Sequence, residues 1–305
     1  MLQSYDQRNA DIVYWVNGVL RHRGEPGLSP FDSVVQGGDA VWEGLRLYRG
    51  AIFGLGEHLA RLRRSALALA FTAIPDEAAT IAAITETLKA NQMYDGVHVR
   101  LTLTRGVKVT SGMDPRLNQA GPTLVVLAEH KAPVYDTDGL QLVTASVRRP
   151  GPDVLDPKIH HNNLINSILA KIEANVAGAD DALMLDGRGF VAETNATHLF
   201  AVAGGALVTP VALACPEGIT RQTVLGLAAA NDIPATVRDV SLAEMYAADE
   251  VFCTGTMGEI AAVTTIDGRT IGSGAPGPVT TRVARLYQEH ARANGVRVLS
   301  APEVL

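Results

Sequence analysis

Around Glu129 to Gly139 the apolar periodicity of this chain lapses into Lys131-Ala132-Pro133-Val134-Tyr135-Asp136-Thr137-Asp138-Gly139, and the segments on either side are patterned differently. Before the lapse, strands and helices come in blocks. Ile12 to Leu20 reads as a hairpin, two apolar arms around Asn17-Gly18. Gly44 to Tyr48 is extended, turns at Arg49-Gly50 and returns through Ala51-Ile52-Phe53. Leu59 to Phe71 and Asp76 to Asn91 carry helical spacing, with Leu59, Leu62, Ala66, Leu69 and Ala70 marking the first. Val97 to Thr104 and Leu124 to Ala128 read as strands. Beyond the lapse, short apolar strands dominate, at Leu140 to Val143, Ala182 to Leu185, Phe190 to Ala192, His198 to Val202, Leu207 to Thr209, Glu250 to Thr254 and Ile260 to Thr265. Helical segments at Asn163 to Ala177, Thr220 to Asn231 and Val279 to Asn294 separate them. The fold class is therefore α+β: a small N-terminal domain over 1–130, a linker at 131–139, and a larger C-terminal domain over 140–305 with a strand-built core and helices outside.

Composition removes several classes of function. With 305 residues, 47% hydrophobic and 19% charged, the chain has ample material for a core. The net charge of -6 and pI near 5.8 argue against nucleic acid or an anionic membrane as the main partner. The densest basic run, Arg61-Leu62-Arg63-Arg64, fits a solvated helix face. Cys215 and Cys253 are too few and too far apart for a disulfide framework or a Cys-based zinc site, so no metal is expected and a reducing, cytoplasmic setting fits. The N-terminal residues Met1 to Asn9 lack the charged-then-apolar pattern of a signal peptide, and no apolar run approaches a membrane span.

Four segments carry chemistry, in a fixed order. Leu155-Asp156-Pro157-Lys158-Ile159-His160-His161-Asn162-Asn163 sets one lysine in a polar loop just before an amphipathic segment. Pro157 fixes the backbone, Asn162 or Asn163 is placed to cap a helix, and Leu164, Ile168 and Ile172 are expected to bury one face of it. A lysine beside a helix start, partly buried, has its amine pKa lowered, which suits a nucleophilic amine. Lys171, by contrast, falls mid-helix and reads as solvated. Glu193 follows the strand-like run Asp186 to Ala192, where Gly187 and Gly189 suit a hairpin turn; Asn195 and Thr197 are placed to orient that carboxylate or to cap a turn. Gly218-Ile219-Thr220-Arg221 opens a helix with Thr220 as candidate N-cap, and Gly255-Thr256 follows a strand in the manner of an anion-binding nest. An amine for an aldehyde, a carboxylate for a pyridine nitrogen and two backbone sites for phosphate are what pyridoxal 5'-phosphate requires of a protein.

Taken together, these motifs resemble the fold-type IV pyridoxal-phosphate enzymes, which include branched-chain aminotransferases, D-amino-acid transaminases, (R)-amine transaminases and aminodeoxychorismate lyases. Val41-Trp42-Glu43-Gly44-Leu45-Arg46 is similar to the family's early motif, and Glu57-His58-Leu59-Ala60-Arg61-Leu62 to the motif whose arginine reaches the cofactor phosphate. The resemblance implies that Lys158 carries the cofactor, that Glu193 faces its ring nitrogen, and that Arg61, Ile219, Thr220, Gly255 and Thr256 bind its phosphate. It also implies a small α/β N-terminal domain, a pseudobarrel C-terminal domain, and a homodimer or higher homo-oligomer.

Two departures bear on the substrate. Branched-chain enzymes have a tyrosine five residues after the lysine, where this chain has Asn163, and a Glu-Asn pair where it has Thr197-His198. Asn163 and Thr197 are candidate replacements in the cofactor site. Trp42 takes an aromatic pocket position, Arg100 the place of a carboxylate-binding arginine, and Thr104-Arg105-Gly106 resembles the D-amino-acid enzymes; Arg46 and Arg105 are further substrate candidates. The expected activity is a ping-pong transaminase acting on a small-molecule amino donor, a branched-chain L-amino acid, and a keto-acid acceptor, 2-oxoglutarate. D-amino-acid or (R)-amine transaminases are the runner-up, followed by aminodeoxychorismate lyase and a non-catalytic phosphate-ligand binder.

Overall fold

A computed structural model describes residues 5–133, Tyr135 and 138–300. Val134, Asp136 and Thr137 of the expected linker, and Met1 to Ser4 of the N-terminal run, lie outside the described residues. The described chain forms two compact units. One is made of Pro133–Lys158 and Leu164–Ala291; the other combines the chain up to Ala132 with Ile159–Asn163 and the C-terminal residues from Arg292.

The unit holding the N-terminal half is built on an antiparallel sheet. Its hairpin β1 (Val13–Val16) and β2 (Val19–His22) turns at Asn17 and Gly18, both with positive φ, as the Asn-Gly pair predicts. Next come β3 (Ala40–Tyr48), β4 (Ala51–Phe53), β5 (Val97–Thr104) and β6 (Thr123–His130), with Arg49 and Gly50 also at positive φ in the β3–β4 turn. On β5, Val97, Val99, Leu101 and Leu103 are buried while His98, Arg100 and Thr102 are only partly so, the period-2 signature of a strand with one core face. Helices Leu55–Ala68 and Glu77–Ala90 cover the core face, the second capped by the Asp76 carboxylate, which accepts from the Ala79 N–H at 2.7 Å.

The other unit contains β7 (Leu140–Thr144), β8 (Asp181–Leu185), β9 (Val191–Thr194), β10 (His198–Ala203), β11 (Ala206–Thr209), β12 (Ala235–Val237), β13 (Glu250–Gly255), β14 (Glu259–Ile266) and β15 (Arg269–Thr270). They form one nine-stranded mixed sheet in the order β12-β11-β10-β13-β14-β7-β8-β9, with β15 on β14. β9 is the edge strand and lies five places from β10, yet only Asn195-Ala196-Thr197 joins the two, and the Thr194 N–H reaches the Thr197 carbonyl at 2.7 Å. A sheet can satisfy both conditions only by curling back on itself, which is the expected pseudobarrel. One apolar cluster, including Leu142, Leu185, Val191, Leu199 and Val263, fills the curl. A second, with Phe200, Phe252, Val224 and Val283, lies under helices Ile219–Ala230 and Pro278–Ala293. After the last helix, β16 (Gly295–Arg297) pairs with β4 in the first-described sheet, whose order is β16-β4-β3-β5-β6-β1-β2.

The helix after Lys158 departs from the sequence reading. It runs Ile165–Val176, begins at Leu164 without a side-chain cap, and buries Ala170 and Ala174 instead of Leu164, Ile168 and Ile172. Ile165, Ile168, Leu169, Ile172 and Val176 form an exposed apolar stripe. Close approach to Ala145, Ala182 and Met184 admits only small residues on the covered side.

Two glycines separate a packing constraint from a tolerated position. Gly106 has φ +104, and a Cβ there would lie 1.9 Å from the Gly121 carbonyl oxygen; Gly226, inside an exposed helical turn, has open space. Gly106→Ala is expected to cost about 2 to 4 kcal/mol in urea unfolding, and Gly226→Ala to gain up to about 1 kcal/mol. Equal stability of the two variants would contradict the close approach at Gly106.

Candidate active site

Lys158 is the last residue of its stretch before the chain passes to the other unit at Ile159. Its Nζ donates to the carbonyls of Ala212 (2.5 Å) and Cys215 (3.3 Å) and lies 3.7 Å from the Glu217 carboxylate. The amine is thus held by carbonyl oxygens of the 212–217 loop, and not by the helix start expected from the sequence. Lys171 is only partly solvated: its Nζ meets Asp181 at 3.0 Å.

The same loop reaches Glu193. The Cys215 thiol lies close to the carboxylate of Glu193 and a ring nitrogen of His198, the ligand atoms of all three falling within 4.8 Å of one another. Glu193, on β9, is 3% exposed and is paired with Arg149, whose Nη2 contacts Oε1. His198 Nε2 lies 3.7 Å from Glu193 Oε2 and donates to the Pro216 carbonyl at 2.7 Å. Residue types alone would suit a metal here. A cation would have to displace the Arg149 guanidinium, and the proton on His198 Nε2 leaves no lone pair on that nitrogen. Burial raises the Cys215 thiol above its ordinary value, which keeps it protonated.

Both candidate anion sites lie in this unit. Gly218, at φ +72, occupies the N-cap of the helix Ile219–Ala230, so Thr220 sits inside the first turn and is not the cap. The reason is steric: a Cβ on Gly218 would lie 2.5 Å from the His198 ring. Without a side-chain cap, the first N–H groups of this helix are left to an anion. β13 ends at Gly255, whose missing Cβ would meet the Thr197 methyl at 3.0 Å. Thr197 itself bonds within its turn, its N–H to Thr194 Oγ1 at 2.8 Å, while Asn195 accepts from the Ala182 N–H. These two shape the turn after Glu193 and do not touch its carboxylate. Lys158, Glu193, Thr197, Ile219, Thr220, Gly255 and the following Thr256 therefore all belong to one unit.

Arg61, Trp42, Arg46, Arg100, Arg105 and Asn163 belong to the other unit. Glu43 is fully buried on β3 and takes Arg61 in a two-point pair, from Nε at 2.7 Å and Nη2 at 2.6 Å, leaving Nη1 outside that fork. His58 Nδ1 donates to the same carboxylate at 2.7 Å. Burial alone would raise the Glu43 carboxyl, but Arg61, His160 and His58 hold it well below the usual range. Ile159–Asn163 runs alongside β3: the Trp42 N–H reaches the His160 carbonyl and the Asn162 N–H the Ala40 carbonyl. The His160 ring stacks on Trp42 with centroids 4.5 Å apart, and the Arg100 guanidinium lies over the indole at 4.0 Å. Asn162 accepts from Arg100 at 2.8 Å and Asn163 donates to the Gly38 carbonyl at 3.2 Å, so neither caps the helix.

The three candidate substrate arginines differ in what meets them. Arg105 is held by Asp39, at 2.6 Å and 3.2 Å, by the Leu69 carbonyl and over the Phe71 ring, as a strut. Arg46 is buried beside the Tyr48 ring. Arg100 is met by an indole and an amide, both uncharged. Sequence reasoning named none of Arg149, His160 and Cys215 as site residues; Arg149 precedes Pro150 in an aperiodic stretch that offers no pattern to read.

His98 lies between these cations on β5, and burial first, then the charges of Lys131, Arg100 and Arg46, push its imidazole down from 6.5 to about 3. The unfolded chain takes up this proton near its ordinary value, so between those limits it binds more protons than the folded chain. The stability contributed by neutral His98 is complete above the ordinary value and falls as pH drops below it, by about 1 kcal/mol per pH unit. Urea midpoints are therefore expected to fall on acidification from neutrality, and His98→Gln to make the fall shallower. An equally steep profile in the variant would contradict a buried neutral His98.

The sequence model described as amino-transferase class IV matches residues 40–266. A branched-chain-amino-acid aminotransferase-like protein 2 of Arabidopsis thaliana is 53% identical over 297 residues, covering 97% of this chain and 53% of that protein. The chain thus spans about half the length of that curated relative. A D-alanine aminotransferase of Bacillus licheniformis is 33% identical over 89% of this chain and 94% of its own. Among solved structures, a T.th. branched-chain amino acid aminotransferase in complex with N-(5'-phosphopyridoxyl)-L-glutamate superposes with a TM-score of 0.86 at 33% identity, over 93% of this chain and 95% of that one. The chain belongs to the class IV amino-transferase family.

Proposed function

We propose that this chain is a pyridoxal 5'-phosphate-dependent transaminase moving an amino group between a branched-chain L-amino acid and 2-oxoglutarate in a ping-pong cycle. The observation that carries the reading is one loop, 212–218, that touches the Lys158 amine, borders the buried Glu193 carboxylate and ends at an uncapped helix start. These donors fit the cofactor. Its phosphate would be held by N–H groups at Ile219, Thr220, Gly255 and Thr256, and its ring nitrogen by Glu193. When bound, it supplies an aldehyde that takes up an amino group and a ring that accepts electrons from the α-carbon. Among the described residues no helix is long and apolar enough to cross a membrane.

Lys158 is the base that takes the proton from the substrate α-carbon and later returns one. The carbonyls of Ala212 and Cys215 hold the amine, so the side chain acts after swinging off them. Glu193 keeps a negative charge where the ring nitrogen needs its proton. Asn163 faces Gly38 and Thr197 faces its own turn, so neither is assigned a cofactor contact. Trp42 forms an apolar wall beside Arg100, and Arg100 receives the second carboxylate of the acceptor, since its present partners are uncharged. The exposed stripe from Ile165 to Val176 supports a homodimer.

The names of the Arabidopsis and T.th. relatives favour a branched-chain donor, and the L-glutamate adduct of the latter favours 2-oxoglutarate. The D-alanine relative favours a D-amino-acid transaminase as the second reading. A donor panel of both enantiomers with 2-oxoglutarate separates them: L-leucine, L-isoleucine and L-valine are expected to exceed D-alanine by about 100-fold in kcat/KM. A preference for D-alanine would overturn the first reading in favour of the second. In the same assay Arg100→Ala is expected to weaken 2-oxoglutarate by about 2 to 4 kcal/mol and pyruvate much less. Equal losses for both acceptors would place the second carboxylate elsewhere, with Arg46 next to test.

A further inference from the structure

Arg149 is a buried cation with an unusual set of contacts. Its main-chain N–H donates to the Leu185 carbonyl at 2.9 Å, fixing the residue beside β8. Nη1 donates to Ser167 Oγ at 3.0 Å, and Nη2 meets Glu193 Oε1. Burial lowers the guanidinium to about 10, still cationic at neutral pH. A buried ion pair of this kind is weak evidence for stability, because desolvating both charges offsets most of their attraction.

Function supplies another reason. A carboxylate has two oxygens, and Arg149 claims only Oε1. A proton shared between a carboxylate and a pyridine nitrogen goes to the stronger base. A guanidinium on the carboxylate lowers its basicity and moves the proton to nitrogen. The two-point anchor, to Ser167 and to the backbone of β8, also fixes which way Glu193 faces. We propose that Arg149 is a positioning residue for the cofactor ring, holding Glu193 ionised and aimed so that Oε2 receives the N–H of the pyridinium. The inference rests on the reading of Glu193 as the ring-nitrogen partner.

The test uses the full chain stripped of cofactor and measures affinity by titration calorimetry for pyridoxal 5'-phosphate and for its 1-deaza analogue, in which C–H replaces the ring nitrogen. Wild type is expected to prefer the natural cofactor by about tenfold or more, the value of one hydrogen bond to a charged group. Arg149→Gln is expected to narrow that preference to about threefold or less, because an uncharged amide no longer holds Glu193 ionised. Arg149→Lys retains the charge but not the fork, and is expected to fall between the two. Thermal melts confirm folding, and either variant suffices if the other does not fold. A preference unchanged from wild type overturns the proposal, even where both affinities drop together, since that is the signature of packing alone. A wild type that binds the cofactor without preferring it overturns the ring-nitrogen role of Glu193 itself, and the proposal with it.

Discussion

The short turn from Thr194 to Thr197 is the constraint on which the larger unit depends. Three residues connect the edge strand β9 to β10, five places away in the sheet, and the sheet has to curl for them to reach. The curl encloses an apolar cluster and leaves Glu193 at its rim, near the end of β9 just before the connection. The same turn presses the Thr197 methyl onto Gly255 and starts β10 with His198, whose ring occupies the space above Gly218. One covalent shortcut thus aligns the carboxylate, the strand-end turn and the helix start, and the absence of side chains at Gly218 and Gly255 is what lets them approach.

Charge is handled differently in the two units. In the sheet of the N-terminal half, Glu43 is fully buried yet ionised, because Arg61, His58 and His160 surround it. Elsewhere in that sheet, burial and the charges of Lys131, Arg100 and Arg46 keep His98 neutral. In the other unit, the Glu193 carboxylate is matched by one arginine. In both units these charges are desolvated, so their fields act at low effective dielectric.

Much of this was legible in the residues. The strands Val97–Thr104 and Leu140–Thr144 follow from alternation and apolar runs, and the Asn17-Gly18 turn from its dipeptide. Lys158 and Glu193 stood out through proline and glycine punctuation and through their order along the chain. What periodicity could not convey was partnership across long separations. Arg149 and Glu193 are brought together only by the pairing of β8 with β9. The helix Ile165–Val176 misled for a related reason: its larger apolar residues were the natural choice for the buried face, but the close-packed sheet accepts only its alanines. Thr220 lost the cap because His198 required a glycine at 218.

The central claim is that Lys158 is the residue that carries the cofactor. Sodium borohydride treatment of the purified, cofactor-loaded protein, followed by proteolysis and mass spectrometry, reads this directly. A phosphopyridoxyl group fixed on the peptide containing Lys158, with loss of the visible absorbance, is the predicted result. The same group on Lys171, or on no lysine at all, would contradict the account.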